Sequence, residues 1–277
     1  MDCRRLITGI VIGFTAFFAM LAGGVWLSLL VLGASFYLAK EYTEILQHKG
    51  FLPSFKIIVI SNILFALAMF FYRLEFIPLI ITVSAVMALL TVLFKGKQPY
   101  IANVATTVFG FIYCGWFPLY LILLRHMGDT SPSSFIPYPE GANYCLVILF
   151  SVLLTDTFCY FAGMKFGKHK LAPVISPNKT IEGSIGGSLF GITAAVIIGI
   201  MLCIPWYHAI ALGIITSIFA QLGDLCESMI KRDAGVKDSS NILPGHGGFL
   251  DRLDSYILTI PVVYYYALYI INFKGWF

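Results

Sequence analysis

The sequence predicts an all-α polytopic membrane protein with about nine transmembrane helices, and two observations support that fold class. Hydrophobic residues make up 59% of the 277 residues and charged residues only 12%, whereas soluble domains carry about 25% charged residues. Most of the apolar residues fall in long runs, and roughly 20 such residues span a bilayer core of about 30 Å. We therefore expect a bundle of membrane helices whose solvent is the lipid bilayer.

Nine apolar segments follow one another along the chain. Gly23-Gly24 separates the first two, which would otherwise form one run of over 30 residues, too long for a single span. The segments are 6–21, 25–42, 54–72, 76–94, 102–124, 143–163, 184–204, 207–230 and 253–273. The polar stretch 129–142 predicts a linker loop between N-terminal transmembrane helices, 1–128, and a C-terminal transmembrane domain, 143–277.

The distribution of lysine and arginine predicts the orientation of these segments. With a cytoplasmic N-terminus, 15 of the 18 basic residues fall on the inside, and only Arg73, Arg125 and Lys274 fall outside. This positive-inside asymmetry predicts nine crossings and a C-terminus on the outer side. It also places the polar loops 164–183 and 231–252 together on the cytoplasmic face. The compact chain suggests a bacterial inner membrane, with these two loops facing the cytoplasm.

The acidic residues that are candidates for a functional role lie in or beside three of the apolar segments. Asp156 falls near the middle of one, where a carboxylate costs about 3 kcal/mol to insert. It either makes a polar contact to a neighbouring helix or lines a water-filled cavity, and we favour the cavity. Asp224 and Glu227 share a helix face at i, i+3. They either form an interfacial pair neutralised by nearby cations or contribute to a metal site.

Asp251 and Asp254 repeat this i, i+3 spacing at the start of the last segment. Taken alone, they suit helix capping. Facing Asp224 across a short loop, they form a carboxylate cluster of the hard oxygen ligands that Mg²⁺ prefers. We predict Asp224, Asp251 and Asp254 as ligands of Mg²⁺, and a second cation is left open.

Two glycine-rich loops on the predicted cytoplasmic face suit phosphate binding. The PGHGG turn allows close backbone approach to an anion. Its His246 is a phosphate contact, a proton carrier or a residue that fixes the turn. The second loop, SPNKTIEG at 176–183, combines Lys179 with hydroxyl groups at a helix start, which is a ready phosphate site. The alternative is a purely topogenic basic loop, which explains its lysines better than its other residues.

The stretch from Ser228 to Asp254, SMIKRDAGVKDSSNILPGHGGFLDRLD, resembles the signature of phosphatidate cytidylyltransferases, also called CDP-diacylglycerol synthases. The resemblance covers about residues 150–260. QLGDLCES, DTFCYFAG and SPNKTIEGSIGG also resemble motifs of that family. The signature agrees at Ser228, Lys231, Arg232, Lys237, Asp238, Pro244, Gly245, His246, Gly247, Gly248, Asp251, Arg252 and Asp254. The chain departs from the family at Asn178, where Lys is common, which makes Lys179 the stronger candidate for a phosphate contact.

The resemblance implies transfer of the CMP moiety of CTP to phosphatidate, with release of pyrophosphate, by a Mg²⁺-dependent nucleotidyltransferase of phospholipid biosynthesis. It further implies a homodimer and a polar cavity open to the cytoplasm and the bilayer. On this reading, 1–128 are scaffold or dimerisation helices and 143–277 form the catalytic domain. The predicted catalytic residues are Asp224, Asp251, Asp254, Lys231, Arg232 and His246. The predicted substrate-binding residues are Ser176, Lys179, Thr180, Glu182, Ser228, Lys237, Asp238, Arg252 and Asp156.

Two other functions remain open from the sequence. One is a CTP-dependent transferase that acts on a different membrane lipid, which the complete HGG…DRxD stretch disfavours. The other, from a different class, is a transporter of an anionic solute, to which intramembrane Asp156 and the basic loops would also be suited. A transporter does not need two polar motif loops on one face, so we favour the enzyme. Nucleic acid is not expected as a partner.

Overall fold

The computed structural model describes residues 3–128, 140–240, 242 and 247–272. Most of the predicted linker 129–142 lies outside these residues, as does His246. The helices are α1 (Cys3–Ala22), α2 (Gly24–His48), α3 (Phe55–Phe70), α4 (Ile77–Lys95), α5 (Tyr100–Phe111), α6 (Phe117–Arg125), α7 (Glu140–Phe166), α8 (Ile181–Met201), α9 (Trp206–Asp233) and α10 (Leu250–Tyr266).

In the part of the chain that the structure describes, nine helical rods match the nine predicted segments. A π-turn at Ile112–Trp116 joins α5 and α6 into one rod, and a second at Ala267–Ile271 extends α10. Within the described residues, seven helices are long and apolar enough to cross a membrane, while Val11–Ala22 and Phe55–Phe70 are shorter apolar helices. The prediction of an all-α polytopic membrane protein is confirmed, and its orientation in the membrane stays a prediction.

One element was not anticipated by the sequence analysis. The strands β1 (Lys170–Ala172) and β2 (Ser176–Thr180) form an antiparallel hairpin in the loop between α7 and α8. Lys170 pairs with Thr180, and Ala172 pairs with Ser176. Pro173 and Pro177 disfavour a helix here, because proline lacks the N–H group that an interior helical position donates. The hairpin carries three predicted substrate-binding residues at defined positions.

The chain forms two compact units, and each is described by itself. The first unit contains Met1–Leu123 and Ile230–Leu253, and the second contains Leu124–Met229 and Asp254–Phe277. Most of the signature stretch therefore packs with the N-terminal helices. The residues that bound it, Ser228 and Asp254, belong to the second unit.

The core of the first unit is built where α2, α3 and the α5–α6 rod meet. Tyr42, Phe65 and Phe111 are fully buried there. Gly110 allows close contact, because a Cβ atom at this position would lie 2.6 Å from Cδ1 of Ile58. The first unit thus has a tightly packed core that can support α2 as a rigid element.

In the second unit, α7 and α8 pack along a row of glycines. Gly183, Gly187 and Gly191 recur every four residues on one face of α8. A Cβ atom at Gly187 would lie 2.1 Å from Sγ of Cys159, and one at Gly191 would lie 2.0 Å from Oγ1 of Thr155. Small residues at this spacing let membrane helices approach closely. The row therefore fixes the start of α8, and the hairpin before it, against α7.

Candidate functional site

Three acidic side chains of the second unit form a compact cluster. Asp224 and Glu227 lie on α9, and Asp254 lies in the first turns of α10. One carboxylate oxygen from each lies within 4.8 Å of the others. Glu227 is completely buried, and Asp254 is only 9% exposed. We call this set the carboxylate cluster.

Close packing of α9 on α10 brings these carboxylates together. A Cβ atom at Gly223 would lie 2.4 Å from the carbonyl oxygen of Asp254, so only glycine permits this approach. One turn earlier on α9, the amide nitrogen of Gln221 donates to the hydroxyl of Ser188 at 2.8 Å. The hydroxyl of Ser184 also donates to Gln221. α9 is thereby held by α8 on one side and by α10 on another.

The hairpin places a lysine side chain beside the carboxylate cluster. Nζ of Lys179 lies 2.7 Å from Oδ2 of Asp224. Thr180 follows immediately, and its Oγ1 caps α8 by accepting from the backbone N–H of Gly183 at 3.2 Å. The carboxylate of Glu182 accepts from the backbone N–H groups of Lys168 at 3.0 Å and His169 at 3.2 Å. The SPNKTIEG segment therefore forms a turn that these hydrogen bonds hold in place, and the turn positions Lys179 beside the carboxylates.

The chemistry of the donor set fits a divalent cation. Three carboxylates carry up to three negative charges, and the ammonium group of Lys179 offsets only one of them. Such hard oxygen ligands suit Mg²⁺, which commonly uses one or two carboxylates together with substrate phosphates and waters. The arrangement also places a lysine where it could contact the phosphates that share the ion.

The remaining predicted residues of the second unit differ in their exposure. Asp156 is exposed on α7 and lies close enough to Asp254 for their charges to interact. Ser228 is buried on α9, and Ser176 is half-buried at the start of β2. The exposure of Asp156 fits its predicted role of lining a polar cavity. That role stays a prediction.

The first unit contains most of the signature stretch and a second ion pair. Nζ of Lys231 lies 2.6 Å from Oδ1 of Asp251, and both side chains are nearly buried. Oδ2 of Asp251 accepts from the hydroxyl of Ser239 at 2.8 Å and from the backbone N–H of Gly248 at 2.8 Å. Gly247 has a φ of 78°, a conformation that favours glycine. Asp251 thus connects the start of α10, the Gly-Gly turn and Lys231.

Glu41 of α2 also contacts the signature stretch, and sequence reasoning missed it. Its carboxylate is completely buried and accepts from the hydroxyl of Ser240 at 2.6 Å and from the backbone N–H of Leu250 at 2.7 Å. A signal was present, because Glu41 is an acidic residue within the last turn of the predicted apolar segment 25–42, next to Lys40. Such residues are rare within membrane helices and are commonly functional.

The other predicted cations of the signature stretch are more exposed. Nη1 of Arg232 donates to the carbonyl of Val236 at 3.2 Å. The cations Arg232, Lys237 and Arg252 are all exposed, and so is the acidic residue Asp238. Exposed, long side chains of this kind can reach an incoming ligand, so the structure is compatible with their predicted contact with substrate phosphates.

The structure brings together two of the three predicted metal ligands, Asp224 and Asp254. The third carboxylate of that cluster is Glu227, which the sequence analysis paired with Asp224 but did not include among the ligands. The remaining predicted ligand, Asp251, belongs to the first unit, where its carboxylate contacts Lys231. The identity of the metal ligands stays a prediction.

Comparison with known proteins places these features in a family. The family model described as "Cytidylyltransferase family" matches residues 3–270. A phosphatidate cytidylyltransferase of Synechocystis is 33% identical over 97% of both chains. The chloroplastic phosphatidate cytidylyltransferase 4 of Arabidopsis thaliana is 33% identical over 94% of this chain and 72% of its own length. The Bacillus subtilis phosphatidate cytidylyltransferase is 38% identical over 67% of this chain and 66% of its own. This chain therefore belongs to the cytidylyltransferase family.

Proposed function

We propose that this protein is a phosphatidate cytidylyltransferase. An oxygen of the phosphatidate phosphate attacks the α-phosphorus of CTP and forms a new P–O bond. The bond between the α-phosphorus and the oxygen that bridges to the β-phosphate breaks, and that oxygen leaves as part of pyrophosphate. The products are CDP-diacylglycerol, a precursor for phospholipid synthesis, and pyrophosphate. The observation that supports this most strongly is the carboxylate cluster with Lys179, in a chain similar over nearly its full length to phosphatidate cytidylyltransferases.

The residues of the chain need only position the two substrates and balance their charge. Phosphatidate brings its own nucleophile, so the reaction does not require a covalent protein intermediate. Phosphoryl-type transfers of this kind depend mainly on in-line alignment and electrostatic stabilisation. We propose that Lys179, Lys231, Arg232, Lys237 and Arg252 hold the phosphates of CTP and phosphatidate. His246 and Asp238 stay proposed contacts of the same ligands.

We propose that Asp224, Glu227 and Asp254 hold Mg²⁺. Bound Mg²⁺ supplies positive charge to phosphate oxygens and so stabilises the negative charge that gathers on the departing pyrophosphate. The burial of Glu227 and Asp254 supports this role, because buried carboxylates require either hydrogen-bond donors or a compensating charge, and a bound cation supplies such a charge. Asp251 remains a proposed further ligand, and a second cation remains open.

We propose that catalysis takes place at the cytoplasmic surface of a bacterial inner membrane. The asymmetry of lysine and arginine supports this orientation. Basic residues at that surface also attract an anionic lipid headgroup, which suits phosphatidate. We further propose a homodimer, on the resemblance of the sequence to the family.

The experiment is a substrate-competition assay with purified full-length protein in lipid nanodiscs. CTP, Mg²⁺ and phosphatidate should yield CDP-diacylglycerol and pyrophosphate in equal amounts. Polyprenyl phosphate and ether-linked lipid phosphates should neither replace phosphatidate nor compete with it effectively. Product formed faster from one of these lipids would instead identify a CTP-dependent transferase for another lipid. Solute flux without nucleotide consumption would identify a transporter.

A further inference from the structure

Glu41 is a buried carboxylate whose charge is fully satisfied by hydrogen bonds. It lies on α2 and has no exposed surface. Its Oε1 accepts from Oγ of Ser240 at 2.6 Å and from the backbone N–H of Phe249 at 2.9 Å. Its Oε2 accepts from the backbone N–H of Leu250 at 2.7 Å and lies 3.1 Å from Oγ of Ser239, whose single proton it shares with Asp251. Four donor groups therefore face the two oxygens, which compensates for the loss of water around the charge.

All four donors belong to the signature stretch, about 200 residues away in sequence. Two of them, the N–H groups of Phe249 and Leu250, stand at the start of α10. The first N–H groups of a helix have no acceptor within it. Glu41 therefore caps α10 from another helix of the first unit.

The Gly-Gly turn of the signature makes room for this contact. A Cβ atom at Gly248 would lie 2.4 Å from Oε2 of Glu41 and 2.0 Å from Oγ of Ser239. A side chain at position 248 would therefore displace the carboxylate from its donors. The contact of Gly248 with α2 explains why the second position of the Gly-Gly turn is a glycine.

The contacts of Glu41 continue to the ion pair between Lys231 and Asp251. The hydroxyl of Ser239 lies between two carboxylates, 3.1 Å from Oε2 of Glu41 and 2.8 Å from Oδ2 of Asp251. The other oxygen of Asp251 contacts Nζ of Lys231 at 2.6 Å. A shift at Glu41 would therefore move Ser239 and, through it, both members of the ion pair.

We propose that Glu41 is a positioning residue for the reaction. It fixes the signature stretch in the conformation in which Asp251 orients Lys231 toward the nucleotide phosphates. This inference rests on the proposed function, because the orientation of Lys231 matters only if that lysine contacts CTP. It assigns a role to the N-terminal helices, which would otherwise serve only as scaffold.

The test is Glu41→Gln in the purified full-length protein. Glutamine keeps the shape of glutamate, but in either orientation its NH₂ group faces one of the two backbone N–H donors. Losing hydrogen bonds to a charged group should lower kcat/KM for CTP by about 10- to 100-fold, with an increased KM for CTP. A merely structural role would reduce the folded fraction and leave the KM of the folded enzyme unchanged. The matched control is Glu44→Gln, one turn along α2, whose side chain is 49% exposed and which should stay within about twofold of wild type.

Hydrogen exchange tests the same contact without using activity. The amides of residues 247–253 should exchange faster in Glu41→Gln than in wild type, because local opening becomes easier. If Glu41→Gln does not fold, Ser240→Ala replaces it. That variant removes one donor and should lower kcat/KM by about 3- to 10-fold.

The outcomes separate the two proposals. The role of Glu41 would be overturned if Glu41→Gln showed unchanged hydrogen exchange together with a wild-type KM and kcat. The same result in Ser240→Ala would overturn it if that variant is used instead. A wild-type protein that makes no CDP-diacylglycerol, but whose 247–253 amides are protected by Glu41, would overturn the proposed function alone.

Discussion

Replacement of Asp254 by Asn tests whether the carboxylate cluster is built for a cation. Asparagine has the same shape and keeps the oxygen that accepts from the backbone N–H of Ser255 at 2.7 Å. It removes one charge from a set whose oxygens lie within 4.8 Å of one another. At an effective dielectric constant of 20, two charges at that distance repel by about 3.5 kcal/mol. Lys179, 2.7 Å from Asp224, offsets part of this repulsion. We therefore expect Asp254→Asn to be more stable than wild type without metal, by about 1–2 kcal/mol.

The assay is thermal unfolding of the purified protein in detergent, first in EDTA and then across a Mg²⁺ titration. In EDTA, the Tm of the variant should exceed that of wild type by about 3–6 °C. Mg²⁺ should raise the Tm of wild type through binding to the folded state and should have much less effect on the variant. Transferase activity should fall by about 100-fold or more. The control, Glu75→Gln, alters a carboxylate that is 57% exposed and should change none of these values. A variant that is less stable in EDTA, or that keeps the full Mg²⁺ shift, would refute the reasoning.

Three further predictions concern other parts of the molecule. Lys179→Met should raise the KM for CTP about tenfold, because it removes one charged phosphate contact, and steady-state kinetics should detect the change; an unchanged KM would remove Lys179 from the site. Gly187→Val should lower the Tm, because its Cβ would lie 2.1 Å from Sγ of Cys159 and overpacking costs about 1–3 kcal/mol. Gly33→Ala is its control, since nothing lies within 4 Å of a Cβ there; equal Tm values would contradict the packing argument. A reporter enzyme that is active only outside the cytoplasm should be active when fused after residue 277, and activity after a fusion in the 96–99 loop instead would reverse the orientation.

The helices of this protein could be predicted because the bilayer imposes their length. Each of the nine apolar runs had to become a helix that satisfies its own backbone hydrogen bonds. The hairpin Lys170–Ala172 with Ser176–Thr180 could not be predicted in the same way. It lies in a loop outside the apolar runs, where bilayer thickness sets no constraint. Its two prolines argued against a helix but did not specify a strand pairing.

The sequence predicted which residues belong to the candidate site better than it predicted which of them contact one another. The i, i+3 spacing placed Asp224 and Glu227 on one face of α9, and the same spacing at the start of the last apolar segment added Asp254. The packing of Gly223 on α10 decides which carboxylates meet, and sequence spacing contains no information on that contact. Glu41 was missed for the same reason, because its partners lie about 200 residues further along the chain.

The most direct test of the account follows both halves of the reaction with two labels. Purified protein receives CTP labelled at the α-phosphate, phosphatidate labelled in its acyl chains, and Mg²⁺. We predict one lipid product that contains both labels in a one-to-one ratio, together with an equal amount of unlabelled pyrophosphate. Release of the α-phosphate label as water-soluble CMP, or a lipid fraction that contains the acyl label alone, would contradict the proposal that this protein transfers the cytidylyl group of CTP to phosphatidate.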